Sequence, residues 1–261
     1  SYDTEWTSKF IERYLEPGGF IVSAQNSIND DVIAGIVGWP RVVGCVVTIG
    51  AGMYEPGHAL RTSANQGVAF KVGELSGRVT PRVTAICDVL GAVGLSQPTT
   101  NLWGERWAKL STNCMFNALA GITGLTSQQL RGEPRTRDTI VRIAAEVVEV
   151  ATRLGVSVEP IGGIEASTFG EALKDGSVME ELSNELVGRG GHLREGRPSL
   201  AQDLMKGRAT EIDYLNGLIA RRGGEVGVET PVNSAVVKMT KRIESGEFTQ
   251  SIDNMDALAS P

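Results

Sequence analysis

The apolar positions of this chain change their period about a third of the way along. Over the first third, short β-branched runs alternate with segments whose apolar residues recur every three or four positions. Glu5–Leu15 has the helical spacing and stops at Pro17-Gly18-Gly19, which breaks a helix. Phe20–Ala24 follows as a short apolar run, and Asp31–Val37 reads as a short helix with Asn29 or Asp30 as its cap. Arg41–Ile49 is a β-branched run, interrupted by Gly44, typical of a fully buried strand. His58–Thr62 and Gly67–Val72 read as shorter strands, antiparallel across Ser63–Gln66. This alternation predicts an α/β sheet with a mixed, partly antiparallel end.

From Thr80 onward strands nearly vanish. Thr80–Val93 reads as a helix opened by Pro81, and Leu102–Leu119 as a long buried one. Thr136–Leu154 turns Ile140, Val141, Ile143, Ala144, Val147 and Val150 inward. Ser167–Leu173 and Ser177–Val187 are shorter helices. Ser199–Arg222 reads as one strongly amphipathic helix, and Thr230-Pro231 caps a last one running to about Ser245. The predicted organisation is α/β followed by all-α: residues 1–78 in the sheet, 79–249 in helices, and 250–261 as a flexible tail of small and polar residues.

Composition narrows the function. The 261 residues carry 25 Lys+Arg against 31 Asp+Glu, a net charge of −6 without any block of like charge, which disfavours a nucleic-acid partner. The apolar runs fall short of the roughly 20 residues that a membrane span needs, so no membrane partner is expected. Ser1–Trp6 is polar and acidic, unlike the start of a signal peptide. Cys45, Cys87 and Cys114 are odd in number and lie in apolar segments, which predicts buried free thiols in a reducing cytoplasm. With only His58 and His192 present, a His-rich metal site is excluded.

Several groups of residues are candidates for chemistry. Gly50-x-Gly52 follows a good strand, where a dinucleotide fingerprint begins, but the third glycine is replaced by Glu55 and another strand follows. A phosphate turn needs a helix N-terminus there, so the pair reads as a β-turn. Lys109, Asn113 and Asn117, spaced i, i+4, i+8, share one stripe about 80° wide on an otherwise apolar helix. Such a stripe is either satisfied by neighbouring loops and solvent or forms a cradle for an anionic ligand, and the pattern does not separate the two. Ser199-x-x-Gln202 reads as a capping box. Glu211 lies one turn after Gly207 on the face of Leu204, as a ligand-facing acid or as a surface partner of Arg208 or Arg222. Asn26 stands just past a strand end, where open α/β sheets take ligands and where Asn is also an ordinary turn residue. Cys114, Trp103 and Trp107 read as core, and the two histidines as loop or strand-edge residues.

Taken together, Lys109-Leu-Ser-Thr-Asn113-Cys-Met-Phe-Asn117, Pro198-Ser199-Leu-Ala-Gln-Asp203, Gly207-Arg-Ala-Thr210-Glu211-Ile-Asp213-Tyr-Leu-Asn216-Gly217, Gly227-Val-Glu-Thr230-Pro231-Val-Asn233 and Gln25-Asn26-Ser-Ile-Asn29 resemble the ketopantoate reductase (2-dehydropantoate 2-reductase) family. The resemblance runs from Ser1 to about Ser245 and is most specific between Ser199 and Glu211. It implies the C-terminal part of a Rossmann-like NADP-binding domain followed by a helical domain like that of 6-phosphogluconate dehydrogenase. Ser1-Tyr2-Asp3 resembles the stretch after the fourth strand of such a domain, so the glycine-rich, pyrophosphate-binding part is expected outside this sequence.

The implied reaction is NADPH-dependent reduction of 2-dehydropantoate to pantoate, in pantothenate and coenzyme A biosynthesis. Lys109 would give the proton, and Asn113, Asn117 and Ser199 would hold the substrate's oxygens. Glu211, catalytic by resemblance, would orient the substrate or the nicotinamide ribose, and Asn26 would sit between cofactor and substrate. Chemistry is expected in the cleft between the domains, in a cytoplasmic homodimer. Ser127 stands near a position where relatives carry a further substrate-binding Asn, and Ser27 replaces the glycine often found after Asn26. The alternatives are a reductase of another 2-keto acid and a non-catalytic, truncated module that binds small acids or dimerises.

Overall fold

The computed structural model describes residues 1–61, 67–188 and 198–258. By its contacts the chain divides into two units, residues 1–109 and 110–261. The first is built around β2 (Val42–Val47), whose Val42, Val43, Cys45 and Val46 are all buried, as a strand covered on both faces requires. Before it come α1 (Thr4–Glu12), β1 (Ile21–Ser23), α2 (Asp30–Val37) and a 3-10 turn at Trp39–Arg41. After it come β3 (Ala51–Glu55), β4 (His58–Arg61), β5 (Phe70–Glu74), α3 (Pro81–Gly91), β6 (Ser96–Pro98) and the start of α4 (Leu102–Thr123).

The sheet order is β1-β2-β5-β6, with β1 and β6 parallel to their neighbours and β5 antiparallel to β2. This Rossmann-like arrangement, mixed at one end, is the one the alternation predicts. Gly44 and Gly73 pair in register across β2 and β5. A Cβ at Gly44 would meet Leu102 Cδ2 at 2.5 Å, and one at Gly73 would meet Thr99 Cγ2 at 2.9 Å. Two bare backbones side by side leave the room in which Leu102, the first residue of α4, is seated. Thr80 caps α3 by accepting from Val83 N, with Pro81 at its first position.

Three expectations for this unit change. β4 pairs with β3 rather than with β5, as a separate hairpin turning at Pro56-Gly57, where Gly57 takes φ +81°. The expected turn across Ser63–Gln66, together with Thr62, lies outside the described residues. Ala51 and Gly52 begin a strand, so Gly50-x-Gly52 is not the turn itself. Strands also do not end before Thr80. β6, only three residues long and polar, joins the sheet because its backbone pairs with β5. The division accordingly falls after Lys109 rather than near residue 78.

The second unit contains the rest of α4, then α5 (Ser127–Gly132), α6 (Pro134–Arg153), α7 (Ala166–Ala172), α8 (Gly176–Gly188) and α9 (Ser199–Met205). A 3-10 turn at Ile212–Tyr214, α10 (Asn216–Val226), α11 (Pro231–Glu244) and α12 (Asn254–Leu258) complete it. The six residues of α6 expected to face inward are all fully buried. Ser199–Arg222 is not one helix. Gly207 adopts φ +62° after α9, a left-handed step that ends the helix before the 3-10 turn. The tail is not frayed through residue 258, because it closes the end of α4. Gln250 Nε2 donates to Gly121 O at 2.7 Å, Asn254 Nδ2 donates to Ile122 O at 3.0 Å, and Met255 and Leu258 are buried. Among the described residues no helix is long and apolar enough to cross a membrane.

α11 is capped from a distance. Thr230 makes no side-chain cap. Instead Glu146 of α6 accepts from Val232 N and Asn233 N, each at 2.9 Å, and from Asn233 Nδ2 at 2.7 Å. Asn216 Nδ2 in turn donates to Asn233 Oδ1 at 2.8 Å, so α6, α10 and α11 share one buried polar chain. Replacing Glu146 by Ala strands three donors, and denaturant unfolding should show a loss of about 2–4 kcal/mol. A loss below about 1 kcal/mol would mean that water replaces the carboxylate.

Candidate active site

α4 is buried on most of its faces: Leu110, Cys114, Ala118, Leu119 and Ile122 are essentially inaccessible. On the expected stripe Lys109 and Asn117 are half-buried and Asn113 is buried, and Trp103, Glu105 and Thr112 are half-buried elsewhere on the helix. Among the described residues no carboxylate or other acceptor bonds Lys109 Nζ. Burial pushes its ammonium pKa below the ordinary 10.5 with no charge partner to oppose the shift. A cation held this way is poised to give up its proton. Cys114 is core, its thiol driven well up by burial, and all three cysteines are free and buried.

The strand-end candidate is held by a residue that sequence reasoning passed over. Arg106, three residues before Lys109 on α4, is 3% exposed, and its guanidinium reaches the turn after β1. Nη1 donates to Gln25 O and Nη2 to Ser23 O, each at 2.7 Å, and Nη2 also pairs with Asp30 Oδ1 at 2.8 Å. Asp30 is fully buried, and burial pushes its carboxyl above the usual range against the pull of Arg106. Asn29 Nδ2 donates to Asn26 O at 2.7 Å instead of capping α2. The Asn26 residue stays exposed, at the C-terminal end of a sheet strand. Ser27 beside it takes φ +70°, the only positive φ among the described non-glycine residues. An arginine inside an apolar helix was the available signal for this arrangement.

In the second unit, Gly121 lets α9 approach α4: a Cβ there would lie 2.5 Å from Leu200 Cδ2. Leu200 follows Ser199, so the close approach brings Ser199 to the helix that carries Asn113 and Asn117. Ser199 is the first residue of α9 and is exposed. The expected capping box does not form because Pro198 is the N-cap and no side chain caps the helix. Glu211 sits at the start of the 3-10 turn, not on a continuous helix face. Its segment is anchored by Thr210, whose N and Oγ1 both donate to Glu244 Oε1, at 2.8 and 2.6 Å. Asp203 of α9 was not expected in the site. Its carboxyl is pushed up first by burial and then by the negative charge of Glu211, so two carboxylates stand near one another beside Ser199.

The remaining candidates are peripheral. Arg222 pairs with Glu225 at 2.9 Å, and His58 is exposed on β4 beside Glu55. Trp107 is core, and Trp103 is half-buried with its Nε1 donating to Leu75 O at 3.1 Å. Ser127 opens α5 behind a Thr126–Gln129 capping box. His192 lies outside the described residues.

A fold of this class, a Rossmann-like sheet followed by a helical unit, with a lysine–asparagine stripe on the helix α4 that runs from one into the other, is that of a nicotinamide-dependent oxidoreductase. The family model described as ketopantoate reductase PanE/ApbA matches residues 1–77, and its C-terminal counterpart matches residues 101–244. The chain belongs to the ketopantoate reductase family. The 2-dehydropantoate 2-reductase of Archaeoglobus fulgidus is 27% identical over 248 residues, covering 94% of this chain and 74% of the relative. Other curated 2-dehydropantoate 2-reductases are matched over as little as 41% of their length. The PanE/ApbA family ketopantoate reductase of Ralstonia eutropha superposes with a TM-score of 0.73 at 25% identity, over 95% of this chain and 74% of that one.

Two further solved structures share the fold. A D-mandelate dehydrogenase solved with NADH and anilino(oxo)acetate has a TM-score of 0.74 at 21% identity, over 94% of this chain and 74% of its own. A ketopantoate reductase of Staphylococcus aureus, described as dimeric, has a TM-score of 0.63 at 16% identity, over 88% and 69%. The relatives and neighbours support ketopantoate reduction, an oxidoreductase activity, as the function.

The strained Ser27 yields a direct test. Left-handed backbone costs a residue with a Cβ about 1–2 kcal/mol, of which glycine's greater freedom in the unfolded chain returns a part. Ser27→Gly should therefore raise the unfolding free energy by about 0.5–1 kcal/mol in a denaturant titration. An unchanged or lower midpoint would mean that the Ser27 side chain holds the turn more strongly than the strain opposes it.

Proposed function

We propose that the protein reduces 2-dehydropantoate to pantoate with NADPH, the step that feeds pantothenate and coenzyme A synthesis. The observation that carries this reading is the desolvated ammonium of Lys109, unpaired among the described residues, on the same helical stripe as Asn113 and Asn117. The residues present fit a nicotinamide cofactor. Asn26, exposed at the end of β1, offers an amide donor and acceptor of the kind a carboxamide or ribose hydroxyl needs. When bound, the reduced nicotinamide supplies the hydride. Lys109 Nζ gives its proton to the keto oxygen, which becomes the hydroxyl of the product. Asn113, Asn117 and Ser199 hold the hydroxyl and carboxylate oxygens of the substrate. Glu211 orients the substrate or the ribose. A homodimer in the cytoplasm belongs to the same proposal, supported by the free thiols and by the dimeric relative.

A second reading, the same chemistry on a different 2-keto acid, has its own observation. A cavity of about 450 Å³ in the second unit is lined by Thr112, Met115 and Phe116 of α4 together with Phe169 and Leu186. Arg131 borders it, its guanidinium 4.1 Å from the centre of the Phe116 ring. The cavity opens on another face of α4 than the stripe, and its apolar wall would take a larger substituent than the one pantoate carries. Comparing kcat/KM for 2-dehydropantoate and for 2-keto acids with aromatic substituents separates the two readings.

The experiment that tests the function is an NADPH titration followed by turnover. Saturable binding and keto-acid reduction are expected. Folded protein that takes up no NADPH would leave only the reading of a non-catalytic module. Lys109→Ala should lower kcat by at least about 100-fold, the scale of a lost general acid, and a loss under about threefold would remove Lys109 from that role. Lysine donates only while charged, so the reduction rate should fall as pH rises through a pKa below the ordinary 10.5, and this alkaline fall should vanish in Lys109→Ala. Glu211→Ala should weaken nucleotide or substrate affinity without moving the unfolding midpoint. A lowered midpoint with unchanged affinity would make Glu211 structural.

A further inference from the structure

Arg106 has no part in the chemistry above, yet it binds together the two places in the first unit on which that chemistry depends. Its guanidinium takes the carbonyls of Ser23 and Gln25 at 2.7 Å on either side of one short turn. The next carbonyl, that of Asn26, is taken by Asn29 Nδ2 at 2.7 Å, and Gln25 Oε1 accepts from Thr4 Oγ1 at 2.7 Å. Every acceptor of the Gln25–Asn26 segment named here is thus occupied from inside the protein, and the Asn26 residue is exposed. On α4, Lys109 follows Arg106 by three residues, about 4.5 Å along the axis and about 60° round it. One rigid side chain therefore links the turn that presents Asn26 to the helical turn that presents Lys109.

We propose that Arg106 is a positioning residue of the reductase, fixing the register of Asn26 relative to Lys109 through the Ser23 and Gln25 carbonyls. The inference rests on the roles given above to Lys109 and Asn26. Geometry explains why arginine serves here. A planar fork donates from both terminal nitrogens in fixed directions and so holds two carbonyls and Asp30 at once, whereas an ammonium on a flexible stem fixes no plane. Asp30 compensates the buried charge through Oδ1 at 2.8 Å, while the carbonyls set the position. A small displacement of a positioned group is enough to slow catalysis by a large factor, even when binding is retained.

The test is a kinetic cycle on the purified protein with Arg106→Lys, Asn26→Ala and the double variant. Arg106→Lys keeps the charge opposite Asp30 but loses the fork. It should lower kcat by about 10- to 100-fold while the dissociation constant for NADPH changes by less than about threefold. In the Asn26→Ala background the same substitution should lower kcat by less than about threefold further, because the group being positioned is already gone.

Equal losses in both backgrounds, or a kcat within about threefold of the parent, would overturn the proposal and leave Arg106 a structural ion pair. Should Arg106→Lys fail to fold, the paired replacement Arg106→Met with Asp30→Leu, which removes the fork and the buried charge together, goes through the same cycle with the same criteria. A parent protein that reduces no keto acid overturns the proposed function, and this inference with it. A parent that turns over, with additive variants, overturns this inference alone.

Discussion

A guanidinium removed from water must find acceptors, and for Arg106 the acceptors available are the backbone carbonyls at the end of β1 and the carboxylate of Asp30. That requirement organises the first unit. It holds the Ser23–Asn29 turn to the helix that follows the sheet. It also places the fully buried Asp30 at the first position of α2, where its carboxyl is under strain from burial. Replacing such a pair with apolar residues is frequently neutral for stability. What the pair provides that apolar packing could not is direction: two carbonyls held in one plane with the neighbouring Asn26 exposed.

The second unit obeys the same rule with a different group. Glu146 lies inside the helical core, and its carboxylate is acceptable there because three N–H groups converge on it from the start of α11. Burial still pushes its pKa up, so the hydrogen bonds offset the desolvation only in part. The end of α4 is closed by Gln250 and Asn254 from far along the chain, and its glycine at position 121 admits Leu200. The helix that carries the polar stripe is thereby fixed at its C-terminal end by residues far along the chain.

The site follows from where satisfaction stops. Among the described residues Lys109 has the desolvation of a buried group without the partner that buried cations normally acquire. Asp203, one turn after Ser199 on α9, has its carboxyl pushed up by burial first and by the charge of Glu211 second. Unbalanced groups of this kind are what a site for a charged, reacting substrate is built from. The family match on residues 1–77 and 101–244 gives that chemistry its name.

Periodicity alone found α1 to α4, α6 to α8 and α11 and the buried face of α6, because these depend on residues close in sequence. The Lys109–Asn113–Asn117 stripe was legible for the same reason. The partner of β4, the strand status of β6, the break at Gly207 and the docking of the tail were decided only by tertiary structure. Each depends on a backbone hydrogen bond or a close approach between residues far apart in the chain, or on a φ value that composition does not reveal. Arg106 and Asp203 were hidden in the same way. Their importance comes from what the fold brings against them: two carbonyls at the end of β1, and the charge of Glu211.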